Sequence, residues 1–304
     1  KKKPVAIMIG NTNDALPQYG LSQADVLYEA PAEGGITRLM PIFQDYSGLD
    51  KIGSVRSCRH YYAYYAMEFD AIYIHYGQAI YATELLESGK VEDLNGLEGA
   101  IDSATFYRDK SRKAPHNAFV STDGIDAGIE LKGYDTELPS DYAGHYQFNE
   151  DDEKEIELTD GADAAVVQPG YYINNPWFVY NSEDGLYYRF QYKKEHMDEN
   201  TGTQLAFKNI LLQYCDYTKL DDAHGYLDVE STGEGTGKYI TNGKVIDVTW
   251  KKASENEPTR YYDASGNEIT LNQGKTMVCV LLNDMEKKLN IYATEDEFTP
   301  PSAK

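Results

Sequence analysis

Lys238-Tyr239-Ile240-Thr241-Asn242-Gly243-Lys244-Val245-Ile246-Asp247-Val248-Thr249-Trp250 decides how the second half of this chain folds. Two runs rich in β-branched and aromatic residues, Lys238 to Thr241 and Lys244 to Trp250, flank Asn-Gly. That dipeptide readily takes positive φ at both central positions of a type I′ turn, so a β-hairpin is expected. Trp177 to Tyr180 and Leu186 to Tyr192 flank Asn181-Ser182-Glu183-Asp184-Gly185 in the same way. Thr259 to Asp263 and Glu268 to Leu271 flank Ala264-Ser265-Gly266-Asn267, and Thr276 to Leu282 and Leu289 to Thr294 read as closing strands. Gly233-Glu234-Gly235-Thr236-Gly237-Lys238 lacks Walker spacing and a strand–loop–helix setting, and reads as a flexible connection. Residues 151–304 are expected to form a predominantly antiparallel β domain with a disordered tail from Thr299 to Lys304.

The first half reads differently. Val5 to Ile9, Ala24 to Ala30, Ile36 to Phe43 and Ala71 to Gly77 are strand candidates. Helices are expected over roughly 58–69 with Ser57 as N-cap, over Tyr81 to Ser88 closed by Gly89, and over Asp123 to Leu131 ended at Gly133. Interleaved strands and helices predict a mixed α/β domain over 1–150. The acidic stretch Asn149 to Glu155 reads as the linker, and the fold class expected for the whole chain is α+β.

The chain has 304 residues and a formal charge of −22, which argues against nonspecific binding to nucleic acid and against an electrostatic seat on an anionic membrane surface. No apolar run approaches the ~18 residues of a membrane span. Three cysteines (Cys58, Cys215, Cys279) make neither a disulfide framework nor a metal-ligand spacing, and no metal or cofactor is expected. His196-Met197-Asp198 supplies at most two ligands and reads as a surface loop. The chain enters a strand directly after Lys1-Lys2-Lys3-Pro4, as expected of the portion that follows a leader. The 27 tyrosines against nine phenylalanines point to sheet and to contact with polymers, or to a lineage that uses tyrosine as its surface aromatic.

Five of the seven arginines fall between positions 38 and 112. Three segments carry them: Gly34-Gly35-Ile36-Thr37-Arg38, Ser54-Val55-Arg56-Ser57-Cys58-Arg59-His60 and Arg108-Asp109-Lys110-Ser111-Arg112-Lys113-Ala114-Pro115-His116-Asn117. A guanidinium grips carboxylate or phosphate with two parallel bonds. The candidate ligand-binding set is therefore Arg38, Arg56, Ser57, Arg59, His75, Arg108, Lys110, Arg112, His116 and Asn117. The competing reading pairs these cations with abundant carboxylates, and makes His75 a hydrogen-bonded core residue.

These segments, with Gly20-Leu21-Ser22-Gln23-Ala24-Asp25-Val26-Leu27-Tyr28-Glu29, His196-Met197-Asp198 and Leu271-Asn272-Gln273-Gly274, resemble the YerB-type lipoproteins of Gram-positive bacteria, a family of unknown function. The chain departs from that pattern at Cys58, His60 and Met277-Val278. The resemblance implies two domains divided near 150 and an extracytoplasmic protein tethered by a lipidated cysteine that lies outside this sequence. It assigns no catalytic residue. The residues then allow a binding protein for an anionic envelope component or small anion, or an envelope enzyme with His75 or His116 as general acid or base. They also allow an interaction scaffold with a protein partner at the cell surface.

Overall fold

The most apolar runs become the middle of the main sheet. Thr276–Leu282, Asn209–Cys215 and Val26–Pro31 are buried along their whole length, as strands covered on both faces must be. In the computed structural model, which describes residues 1–150 and 154–302, these three strands run parallel, with 276–282 between the other two. From Val26–Pro31 the sheet continues through Thr37–Phe43, Val5–Ile7, Ile72–His75 and Asp93–Asn95. On the other side it continues from Asn209–Cys215 through Gly233–Thr241 and Lys244–Lys252 to Ala162–Asp163. With two short flanking strands the sheet has twelve members. A second, six-stranded sheet gathers Trp177–Asn181, Leu186–Gln191 and their neighbours.

Strands from both sides of residue 150 thus hydrogen-bond within one sheet. Apolar patterning identifies strands but does not choose their neighbours, so this sharing was not foreseen. The fold mixes helix and strand as expected, but sheet predominates in the first half too, which is not a clear α/β unit. Its strands Val26–Pro31 and Thr37–Phe43 are an antiparallel pair, and its helices are short: α1 (His60–Met67), α2 (Thr83–Glu87), α3 (Gly99–Thr105) and α4 (Thr122–Lys132). The helix α3 was not anticipated, because Gly99-Ala100-Ile101-Asp102 shows little apolar periodicity. Of the acidic stretch 149–155, residues 151–153 lie outside the described residues, as do 303 and 304 of the tail.

The hairpin turns form as read. Asn242 and Gly243 both have positive φ, at 49° and 75°, and Gly266 closes the 263–267 turn with φ 82°. Adding a Cβ at Gly243 would put it 2.8 Å from the Tyr180 ring. Gly243→Ala should therefore cost about 1–3 kcal/mol, through strained φ and that contact, and lower the urea midpoint without changing the slope. An unchanged midpoint would contradict the role given to this glycine.

Gly233 to Lys238 is not a flexible connection. It is the first part of strand Gly233–Thr241, paired throughout with Lys244–Lys252 and from Gly237 onward with Asn209–Cys215 as well. A Cβ at Gly237 would lie 2.3 Å from the Leu212 carbonyl oxygen, so glycine lets the neighbouring strand approach.

The helix start near 57 is also corrected. Residues 55–58 are extended, with Val55 bridged to Ile9 and Cys58 to Gln78. This delays α1 to His60 and leaves Arg59, not Ser57, at the N-cap. The helix is buried almost all round, and tyrosine makes that possible. Tyr61, Tyr62 and Tyr65 are fully buried, and the Tyr62 hydroxyl accepts from the Ala30 amide at 2.8 Å and reaches the Arg38 carbonyl at 2.6 Å. Tyr65 stacks on Tyr28 at 5.1 Å between centroids. Much of the tyrosine content is thus core with hydrogen-bonded tips rather than a surface for polymers.

Buried polar groups fasten the two halves. Arg189 and Glu29, both without solvent exposure, pair at 2.8 Å. Glu29 also accepts from Thr37 and Asn174, each at 2.7 Å. His196 accepts from the Arg189 Nε at its Nδ1 (3.0 Å) and meets Gln18 through Nε2. Asp198 accepts from the Gly20 and Ser22 amides, both at 2.9 Å, and from the Ser22 hydroxyl. His196 and Asp198 are therefore parts of a seam and not a surface loop. Among the described residues no group of three or more His, Cys, Asp or Glu is placed to hold a metal. A second seam joins Glu68, after α1, to Lys252 at 2.9 Å, Thr259 and His145.

Candidate functional site

The three arginine-bearing segments meet, and a carboxylate that sequence reading left unassigned organises them. Glu33 opens a tight turn at Gly34-Gly35, where both glycines have positive φ, 67° and 77°. Its carboxylate takes both arms of Arg59, Nε at 3.0 Å and Nη2 closer still, while Arg38 stands 3.7 Å away. Arg38 donates to the Ser57 carbonyl, and the Arg59 guanidinium lies 5.1 Å over the Tyr226 ring. Arg38 and Arg59 are buried, 4% and 5% exposed.

Arg56 is placed otherwise. It is half-buried, its stem lies against Gly10, and its Nη1 donates to His116 Nδ1 at 3.1 Å. Among the described residues no carboxylate pairs with it. Two guanidiniums thus share one carboxylate, with Arg56 as a third positive charge close by, and the proton affinities register the crowding. Burial, then the neighbouring Arg59, pull Arg38 down to about 10. The same two causes, in the same order, lower Arg56. Burial also opposes charge on Arg59, but its bonds to Glu33 win and raise it. Glu33 is held below the usual carboxylate range by Arg59 and Arg38, against its burial. Burial, then the Arg56 charge, lower His116 and so favour the neutral ring, which accepts from Arg56 at Nδ1 and therefore carries its proton on Nε2.

His116 also lines a cleft of about 790 Å³ between Asn13–Tyr19 and Ser111–Pro115. Arg112 lines it too. All three arms of that guanidinium are used on carbonyls, of His116, Pro17 and Ala15, each at 2.8 Å, so Arg112 braces the loop. Arg108 is exposed, donates to Asn117 at 2.8 Å and covers the Tyr76 ring at 4.3 Å. Lys110 is exposed.

Of the ten candidates the structure thus joins Arg38, Arg56, Ser57, Arg59 and His116 directly, with Arg112 behind them. Arg108, Lys110 and Asn117 belong to the outer loop. His75 stands apart. It has no exposure, and its ring nitrogens bond Asp93 at 2.7 Å and the Gly77 carbonyl at 2.8 Å, which satisfies both and makes it a core histidine. Sequence reading missed Glu33, Tyr226 and the Asn13–Tyr19 wall. Glu33 carried a legible signal, as the carboxylate beside a Gly-Gly turn five residues before Arg38. The other two are brought in by tertiary pairing alone.

Comparison with known proteins gives a consistent family. The N-terminal domain of the family described as "Protein of unknown function (DUF3048)" matches residues 1–135, and the C-terminal domain of that family matches residues 166–278. The chain is 31% identical, over 265 residues, to the Bacillus subtilis (strain 168) protein named "Putative lipoprotein YerB", spanning 84% of this chain and 74% of that protein. The crystal structure of YerB from Bacillus subtilis matches with a TM-score of 0.83 at 29% sequence identity, over 96% of this chain and 94% of that one.

Proposed function

The chain belongs to the DUF3048 family, and on that footing we propose that it is a lipid-anchored, extracytoplasmic cell-envelope protein that binds an anionic, phosphate- or carboxylate-bearing ligand at Arg56. The location rests on the name of the Bacillus subtilis relative. The ligand class rests on one observation: Arg56 is an accessible guanidinium without a carboxylate partner among the described residues, beside a cluster in which cations outnumber Glu33. An anion there would take the free arms of Arg56, with the His116 Nε2–H as a further donor.

A catalytic reading finds less support. Both His75 nitrogens are occupied in the core. His116 turns its lone pair to Arg56 and keeps a proton on Nε2, which suits a hydrogen-bond donor better than a base. The scaffold reading drew on the tyrosine-rich β domain, where Tyr171, Tyr187, Tyr214, Tyr239 and Tyr261 are buried.

Inorganic phosphate or sulfate should raise the melting temperature of the wild-type protein. Ligand at a hundred times its dissociation constant stabilises by about 2.7 kcal/mol. Arg56→Ala should lose that gain while melting near the wild-type temperature without ligand. Arg56→Lys should recover only part, because the two-pronged grip is gone. Equal shifts in wild type and Arg56→Ala would remove Arg56 from the site, and no shift with either anion or with an anionic glycan fragment would favour the scaffold.

A further inference from the structure

The loop from Gly170 to Asn175 is pinned from beneath and holds an aromatic ring out to solvent. Tyr171 is buried, its hydroxyl within 3.0 Å of the Glu29 carbonyl and 2.7 Å of the Val280 carbonyl. Asn174 is buried too and donates to Glu29 and Gln191 at 2.7 and 3.0 Å. Between these anchors Tyr172 is 76% exposed and Ile173 42% exposed. A rigid segment that spends a large aromatic side chain on solvent offers a contact surface, since packing does not require it there.

Tyr172 lines a cleft of about 580 Å³ that lies between the two halves of the sequence. Tyr217 lines it as well, a second exposed ring, held in position by its hydroxyl on Asp284 at 2.9 Å. The Gly34-Gly35 turn forms part of the wall: a Cβ at Gly34 would meet open space, and one at Gly35 would touch Tyr172 and Ile173 at 3.8 Å. The charged groups come in balance: Lys219 pairs with Asp222 at 3.1 Å, Asp284 accepts from Tyr217, and Lys288 lies 5.7 Å over the Tyr172 ring. In a chain of net charge −22 this cleft is close to neutral.

We propose that this cleft binds a neutral oligosaccharide. Pyranose rings have an apolar C–H face and a rim of hydroxyls, each of which donates and accepts. Tyr172 and Tyr217 would take the ring faces. Asp222, Asp284, His224 and Lys288 would take the rim, since together they supply acceptors and donors. Balanced charge disfavours a polyanion, and two rings separated by polar groups are too little continuous apolar surface for a stable protein interface. The assignment is independent of the anion reading at Arg56, which lies among other residues.

The test is calorimetric titration of the whole chain with three probes: cellohexaose, maltohexaose and the β-1,4-linked hexamer of N-acetylglucosamine. At least one should bind. Tyr172→Ala and Tyr217→Ala should each weaken that binding tenfold or more, with melting temperatures kept near wild type because both rings are exposed. Arg56→Ala should bind the sugar as wild type does. Absence of binding by all three hexamers, or binding that survives both tyrosine substitutions, would overturn the proposal. Sugar binding lost in Arg56→Ala but kept in the tyrosine variants would also overturn it, by moving the sugar to the other site.

Discussion

Arg189→Met loses about 3–5 kcal/mol of unfolding free energy, the effect expected when one partner of a fully buried ion pair is removed and the other charge is left behind. Glu29 and Arg189 are both without solvent exposure and 2.8 Å apart. Methionine fills the space but cannot answer the carboxylate, and its remaining partners, Thr37, Asn174 and Asn11, are neutral donors. The double variant Glu29→Gln with Arg189→Met should be less damaging than the sum of the singles, since no net charge stays buried. Urea titration of the four proteins measures this directly. A loss below about 1 kcal/mol in Arg189→Met would show that Glu29 takes up a proton or finds water at little cost, and the seam would then not be a fastening.

Acid is the second strong lever. Burial lowers His145 in spite of its bond to Glu68, and burial with the nearby Arg189 charge lowers His196 well below the ordinary value. Both therefore take up a proton at lower pH in the folded protein than in the unfolded chain, where each does so as pH falls through about 6.5. The unfolded state then binds more protons, so stability is full above that pH and declines below it. Glu68, held low by His145 and Lys252 against its burial, adds a further loss at lower pH, from about 4.5 downward. Each histidine kept neutral contributes up to about 1.4 kcal/mol per pH unit below 6.5. Melting temperature should be flat from pH 8 to 7 and fall steeply from 6.5 to 5. In His145→Gln and His196→Gln the level changes, but the readout is the slope, which should flatten in that window. A slope unchanged in both would mean that these histidines are protonated in the fold.

The sequence disclosed elements better than partners. Asn242-Gly243 announced its turn because the turn needs two positive φ values, and few residue pairs accept them. The strands at 26–31, 37–43 and 276–282 were visible as apolar runs. What stayed hidden was set by distance along the chain. Glu29 and Arg189 are 160 residues apart, and no local pattern marks either as a buried ion. The Gly233–Lys238 stretch read as loose because glycine usually signals freedom, whereas here it serves a close approach of backbone. At the candidate site, the concentration of arginine marked segments that touch in the fold. It could not separate Arg56, which lacks a carboxylate, from Arg59, which grips Glu33, or from Arg112, which braces a loop. His75 misled for a simple reason: the end of a strand is where ligands gather, and it is also where a core histidine finds a carboxylate on the next strand.

The position of strand 276–282 has a temporal consequence. Among the described residues it is the last strand of the main sheet in chain order, yet it sits in the middle of that sheet, between partners that precede it by some 60 and 250 residues. Until it arrives, the edges of Val26–Pro31 and Asn209–Cys215 that it covers stay open, and open apolar edges recruit other chains. The polypeptide therefore closes late and all at once, in the manner of an arch completed by its keystone. Every segment made earlier must be kept from sticking until residue 282 is available.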